Sequence, residues 1–140
     1  MQLVNIKIIT MKRLFFVFAF ILLAASIASA QQKEAVFAMV GDSIHDFGTI
    51  QEADGPVSCT FTIKNEGEKP LVITNVAPSC GCTSPDWTKE PIAAGKTGEI
   101  KITYDPAGRP QPFTKTIAVY SNGKTGSYVL TIKGIVEAKK

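Results

Sequence analysis

The stretch that decides the fold is "VSCTFTIKN", Val57 to Asn65. Val57, Cys59, Phe61 and Ile63 take every second position, with Ser58, Thr60, Thr62 and Lys64 between them. Successive side chains of an extended chain point to opposite faces, so this alternation predicts a strand with one apolar and one polar side. Cys59 falls on the apolar side and is expected in the core. "NEGEKP", Asn65 to Pro70, follows at once and carries turn chemistry, with Gly67 able to take a positive φ.

The same pattern spreads in both directions. Ile100, Ile102 and Tyr104 alternate with Lys101 and Thr103, Phe113, Ile117 and Val119 mark another strand, and Tyr128, Leu130 and Ile132 mark the last. "AVFAM", "HDFGTI" and "PLVITNV" add three short pieces. The separators are turn-formers: "PIAAGKTG" holds two glycines, and "SNGKTG" holds an Asn-Gly pair, a strong hairpin signal. Nowhere after residue 33 do apolar residues recur at helical spacing for three turns. About seven short antiparallel strands, each with one polar face, predict an all-β immunoglobulin-like sandwich. The antibody hallmark is missing, because Cys59 has no cysteine on a late strand to pair with and Trp87 is expected in a loop.

Ahead of this domain lies a different composition. Met11-Lys12-Arg13 is a short positive start, and Leu14 to Ala30 is an apolar run ending in the small-x-small pattern Ala28-Ser29-Ala30. That is the form of a secretory signal peptide over residues 1–30, followed by one domain over 31–140. An uncleaved anchor is the competing reading, but Ala25 to Ala30 is small and only slightly hydrophobic, so no stable membrane span is expected after cleavage. Gln31-Gln32 at the new terminus carries no cysteine for a lipid. Export, to the periplasm or beyond the cell, places the domain where disulfides persist.

Charge divides at the same place. Of the 15 basic residues, Lys7, Lys12 and Arg13 belong to the leader; the 12 that remain balance the 12 acidic ones. The basic balance of the whole chain therefore reports the leader, and nucleic acid is not an expected partner.

The chemistry-bearing stretch is "NVAPSCGCTSPDW", Asn75 to Trp87, with two of the three cysteines. Three readings are open. A thiol oxidoreductase usually presents Cys-x-x-Cys at a helix N-terminus, whereas Cys80 and Cys82 have one glycine between them and no helix in prospect. A metal site needs more ligands than two; His45, the single histidine, is the one candidate to join Cys80 and Cys82, and two thiolates alone would suit a soft ion such as Cu(I) or, with help, zinc. A disulfide is the third reading. Gly81 allows a tight Cys80–Cys82 link, while a bond from either to Cys59 would staple a long loop at about 3 kcal/mol and leave an odd thiol.

Other candidates carry less. His45 beside Asp46 is expected as a half-buried strand-edge residue hydrogen-bonded to a neighbour. Trp87, flanked by Asp86 and Glu90, either covers an end of the sandwich or anchors a peptide or glycan. Arg109 stands at the tip of the proline-rich loop "YDPAGRPQPFTK" and could join the same binding surface. The glycines fall at hairpin ends and form no phosphate loop.

"HDFGTI", "FTIKNEGEKPLVITNVAPSCGCT", "PIAAGKTGEIKITYDP" and "FTKTIAVYSN" together resemble the bacterial family called domain of unknown function 1573, itself similar to Hydin-type immunoglobulin-like domains. The resemblance covers about residues 44–136, with Ser79 to Thr83 its most specific piece. It implies an exported sandwich of seven strands, common in Bacteroidetes-like bacteria, with no established activity. It also implies that Cys80 and Cys82 act as a local, loop-shaping unit without a third cysteine, leaving Cys59 as a small buried hydrophobe. The resulting expectation is a non-catalytic binding or scaffolding module, without a cofactor, for a protein, peptide or glycan at the cell envelope. The alternative is a thiol-redox or soft-metal protein centred on Cys80 and Cys82.

Overall fold

A computed structural model of the chain describes residues 8, 11–14, 16–17 and 33–140. The chain divides into two units, Met1–Gln32 and Lys33–Lys140. The described residues of the first are helical. Among the described residues no helix is long and apolar enough to cross a membrane. The expected signal peptide, residues 1–30 with Ala28 to Ala30 as its cleavage site, lies largely outside the described residues.

The second unit is an immunoglobulin-like β-sandwich. Its strands are β1 (Phe37–Val40), β2 (Ile44–Gln51), β3 (Val57–Asn65), β4 (Ile73–Pro78), β5 (Thr83–Trp87), β6 (Thr97–Tyr104), β7 (Pro112–Ser121) and β8 (Ser127–Glu137). One sheet has the order β1-β3-β6-β5 and the other β2-β8-β7-β4. This is the two-sheet layout of immunoglobulin domains, with the first extended run shared between the sheets.

That sharing corrects the expectation of purely antiparallel pairing. β1 pairs antiparallel with β3, and β2 then pairs parallel with β8. Gly41, at φ 95°, lets the run leave one sheet and enter the other. β5 is the strand the alternation did not reveal. Its sequence "TSPDW" carries Pro85, and β5 lies at the edge of its sheet, where proline is tolerated because one side of the strand needs no ladder bond. Trp87 therefore ends a strand and does not lie in a loop.

Two turns also differ from expectation. Gly67 keeps an ordinary φ; it is needed instead because a Cβ there would collide with the backbone of Glu34 to Val36. At the β7–β8 hairpin Gly126, and not Gly123, takes the positive φ of 71°. Asn122 turns its side chain onto the β3–β4 connection, accepting from Val72 N–H at 2.8 Å and donating to the Pro70 carbonyl at 3.1 Å.

The core is the set of inward positions that the alternation marks. Ile63, Ile100, Ile102, Ile117, Leu130 and Ile132 are wholly buried, with Phe61, Phe113 and Val119 beside them. Tyr104 stacks on Phe113 with ring centroids 4.0 Å apart. Each such side chain contributes roughly 1.5–3 kcal/mol of burial. Leu71 and Ile92, from two loops, form an isolated bridge that closes one end of the core.

Candidate functional site

The Cys-Gly-Cys stretch is the corner by which the chain passes from one sheet to the other. β4 is the last strand of its sheet and β5 the last strand of the opposite one, and Ser79 to Cys82 joins them. Backbone bonds hold this corner on both sides. Ser79 N–H donates to the Thr116 carbonyl on β7, and Asp105 N–H, just past β6, donates to the Cys82 carbonyl, both at 2.9 Å. Thr83 N–H donates to the Cys80 carbonyl at 3.3 Å, closing the turn.

Within the turn Cys80 and Cys82 form a disulfide, with Cα atoms 5.3 Å apart, inside the usual range. The two cysteines are unlike. Cys82 is 6% exposed, whereas Cys80 is half-buried beside the core. Cys82 N–H donates to Cys80 Sγ at 3.2 Å. Thr83 Oγ1 lies 3.9 Å from Cys80 Sγ and 3.8 Å from Cys82 Sγ, within hydrogen-bond reach for sulfur. Thr83 is 3% exposed, so its hydroxyl is a buried polar group facing the disulfide. The family resemblance included Thr83 as the end of its most specific piece, but nothing in the sequence assigned the hydroxyl a role, because a threonine after a cysteine reads as an ordinary strand residue.

Cys59 stands on β3 as a free, buried cysteine. Burial pushes its thiol up to about 11, so it stays protonated and unreactive near neutral pH.

The other candidates are dispersed. His45 is on β2, at the edge of its sheet opposite β4, so β8 and β7 intervene between it and the strand that leads to Cys80. Its ring packs edge-on against Phe47 at 4.5 Å. The hydrogen bond expected of it is absent among the described residues. Nor do the described residues hold any cluster of three or more metal-ligating side chains. Trp87 is half-buried against the core, and Lys89 Nζ sits 2.9 Å from its ring centroid. This cation–π contact covers a face of the indole. The indole N–H is buried and has no hydrogen-bond partner among the described residues. Arg109 folds back on its own loop, donating to the Ala107 carbonyl at 2.7 Å. Trp87 pairs with Ile100 near the start of β6, whereas the Arg109 loop follows the end of β6. The two do not form one surface.

A surface that sequence reasoning missed lies on the outer side of the second sheet. Ile44, Tyr120, Val129 and Ile135 are 44–56% exposed there. The register sets Val129 beside Ala118 and Ala118 beside Ala77, while Thr131 stands between Ile44 and Thr116. Asp46 and Lys133, an ion pair at 3.6 Å, and Glu137 share this face toward the Ile135 end. The outer side of the first sheet carries one exposed large aliphatic among the described residues, Val40. That side also carries Lys64, Glu99, Lys101 and Asp86, and Ser58 and Thr103 share a hydrogen bond of 2.9 Å.

Similar solved structures share this fold. A protein of unknown function from Porphyromonas gingivalis W83 is 19% identical with a TM-score of 0.65, over 77% of this chain and 50% of that one. The VesB protease of Vibrio cholerae is 19% identical with a TM-score of 0.54, over 74% and 32%. The secreted serine protease VesC of Vibrio cholerae is 14% identical with a TM-score of 0.50, over 76% and 24%. This chain thus spans half or less of the length of each, and at these identities the likeness is one of fold. No curated protein matches the sequence. The residues from Ala38 to Val136, which include every strand from β2 to β7, match one family throughout, and the chain belongs to it: the family described as Protein of unknown function (DUF1573).

Proposed function

We propose that this chain is an exported, non-catalytic immunoglobulin-like module that binds a protein partner at the cell envelope through the outer face of its second sheet. The observation that carries the reading is the contrast between the two outer faces. One carries Lys64, Glu99, Lys101 and Asp86, with Val40 as its one exposed large aliphatic among the described residues. The other offers Ile44, Tyr120, Val129 and Ile135 about half exposed among threonines and alanines, with the charges Asp46, Lys133 and Glu137 gathered toward the Ile135 end. Exposed apolar area gathered on one face is costly in water and marks contact surfaces. Its chemistry suits a flat apolar protein surface. A glycan would call for aromatic platforms rich in hydrogen-bonding groups, and a nucleic acid for clustered bases.

Export is supported by the apolar run from Leu14 to Ala30 with its small-residue end. VesC, of similar fold, is itself described as secreted. The non-catalytic reading is supported by the single histidine being packed against Phe47.

A photo-cross-linking residue at position 129, compared with one at position 60 on the opposite face, tests the binding surface in the native envelope. A discrete protein adduct from position 129 and none from position 60 is expected, and Ile44→Lys should abolish it. Equal adducts from both faces, or none from position 129, would overturn the proposal.

A further inference from the structure

We infer that the corner between β4 and β5 is a thiol–disulfide exchange site, where the Cys80–Cys82 bond is traded with a dithiol of another exported protein. This goes beyond the binding reading and does not involve the sheet face proposed there, though it rests on the proposed export.

The first ground is that the bond has little structural work. It spans a sequence separation of 2, and the entropy gained by closing so short a loop is small compared with a bridge between distant strands. The corner is already tied by the Ser79–Thr116 and Asp105–Cys82 backbone bonds, which involve no sulfur. The disulfide can therefore open without releasing β4 or β5.

The second ground is the inequality of the two cysteines. Cys80 is half-buried, while Cys82 is 6% exposed. An incoming thiolate reaches Cys80 Sγ, and Cys82 Sγ becomes the leaving group.

The third is that each sulfur has a donor waiting. Thr83 Oγ1, itself buried, lies 3.8 Å from Cys82 Sγ, and Cys82 N–H points at Cys80 Sγ at 3.2 Å. A hydrogen bond to a developing thiolate is charge-assisted and stronger than one to a neutral disulfide. These donors stand where a helix N-terminus stands in more familiar thiol sites.

The exchange balances as follows. A partner thiolate attacks Cys80 Sγ, the Cys80–Cys82 bond breaks, and its electron pair leaves on Cys82 Sγ, which accepts from Thr83 and then takes a proton from water. The partner's second thiolate attacks the partner sulfur of the mixed disulfide and expels Cys80 as thiolate. The partner dithiol is oxidised to a disulfide, and the Cys80–Cys82 disulfide is reduced to a dithiol, two electrons in all. Run backwards, the same steps reduce a partner disulfide. Cys59, held protonated in the core, takes no part.

Four variants of the full chain test this with glutathione as the probe. Cys82→Ser should capture oxidised glutathione at Cys80 at least about tenfold faster than Cys80→Ser captures it at Cys82. Thr83→Val should slow the opening of the disulfide by reduced glutathione about tenfold, with the melting temperature of the oxidised protein little changed and Thr83→Ser restoring the rate. Peptide mapping of the mixed disulfide in the unsubstituted chain should locate glutathione on Cys80, a readout independent of how the variants fold. Cys82→Ser recovered from the envelope should carry a reducible, protein-sized adduct. A disulfide that glutathione opens only after unfolding, equal capture at both cysteines, no effect of Thr83→Val, or only small-thiol adducts from the envelope would each overturn the inference.

Discussion

Asn65 shows how much a single residue can hold. It is wholly buried at the end of β3, and all of its side-chain capacity is used. Nδ2 donates to the Lys69 carbonyl at 2.7 Å and to the Ile92 carbonyl at 2.9 Å, while Oδ1 accepts from Gly67 N–H at 2.9 Å and Val36 N–H at 3.3 Å. It thereby joins the segment before β1, the β3–β4 turn and the loop after β5. Asn65→Ala would strand these backbone groups inside the protein, at about 1–3 kcal/mol for each that finds no water. A loss of roughly 3–5 kcal/mol in denaturant unfolding is expected, and a loss under 1 kcal/mol would refute the role. Cys59 makes a second prediction. Its thiol titrates at about 11 when folded, against an ordinary 9.0. The folded state disfavours the thiolate, so stability is complete below pH 9 and falls as pH rises from there through 11, by up to about 3 kcal/mol. Cys59→Ala should cost on the order of 1 kcal/mol at pH 8 through lost packing. That gap should close or reverse by pH 10.5, and a gap that stays constant would count against burial as the cause.

At the scale of the element, alternation was enough wherever a strand has one face in the core. β3, β6, β7 and β8 could be read from Phe61, Ile102, Ile117 and Leu130 and their neighbours. β5 could not, because Thr83, Pro85 and Trp87 turn inward without an aliphatic among them, and a proline reads as a stop until an edge position excuses it. The parallel β2–β8 pair was hidden for another reason: period 2 gives a strand's faces and says nothing of its neighbour. The same limit hid the corner site. Cys80 and Cys82 were visible, but Thr83 gains its meaning only from where the turn aims it. Asn65 was taken with Gly67 as turn chemistry, because a buried asparagine and a turn asparagine look alike in one dimension. Among the loops, Glu52 is the residue to test. Its carboxylate accepts from Gly108 N–H at 2.6 Å and Lys139 N–H at 3.2 Å, tying the β6–β7 loop and the C-terminal segment to the short 3-10 turn Glu52–Asp54. The Gly108 bond first, and the Lys139 bond second, hold its pKa below the ordinary glutamate range. The tie is present above that range and is lost as pH falls through the lowered value. The Gly108 amide resonance should follow this titration and should exchange faster in Glu52→Ala. An amide insensitive to both changes would show that the contact does not hold the loop.

For the molecule as a whole, the pairing of β2 with β8 sets an order of events. The side chains of Gln51 and Glu137 meet at 2.6 Å across a sequence separation of 86. A chain made or threaded from its N-terminus presents β2 long before β8 exists to receive it. β1 and β3 can meet early, but the second sheet must wait, with one edge strand idle, until β8 is delivered. Loop closure over such distances is slow, and folding dominated by non-local pairing takes milliseconds to seconds. Any span still inside a ribosome or a translocation pore therefore leaves the sandwich open and its apolar rows accessible to chaperones. A nascent chain stalled with β8 still enclosed should be fully sensitive to protease, and release of the last strand should confer resistance in a single step. Early resistance, before β8 emerges, would mean that the two sheets mature separately. A chain that has delivered every strand of this sandwich but β8 is, by its topology, still an open one.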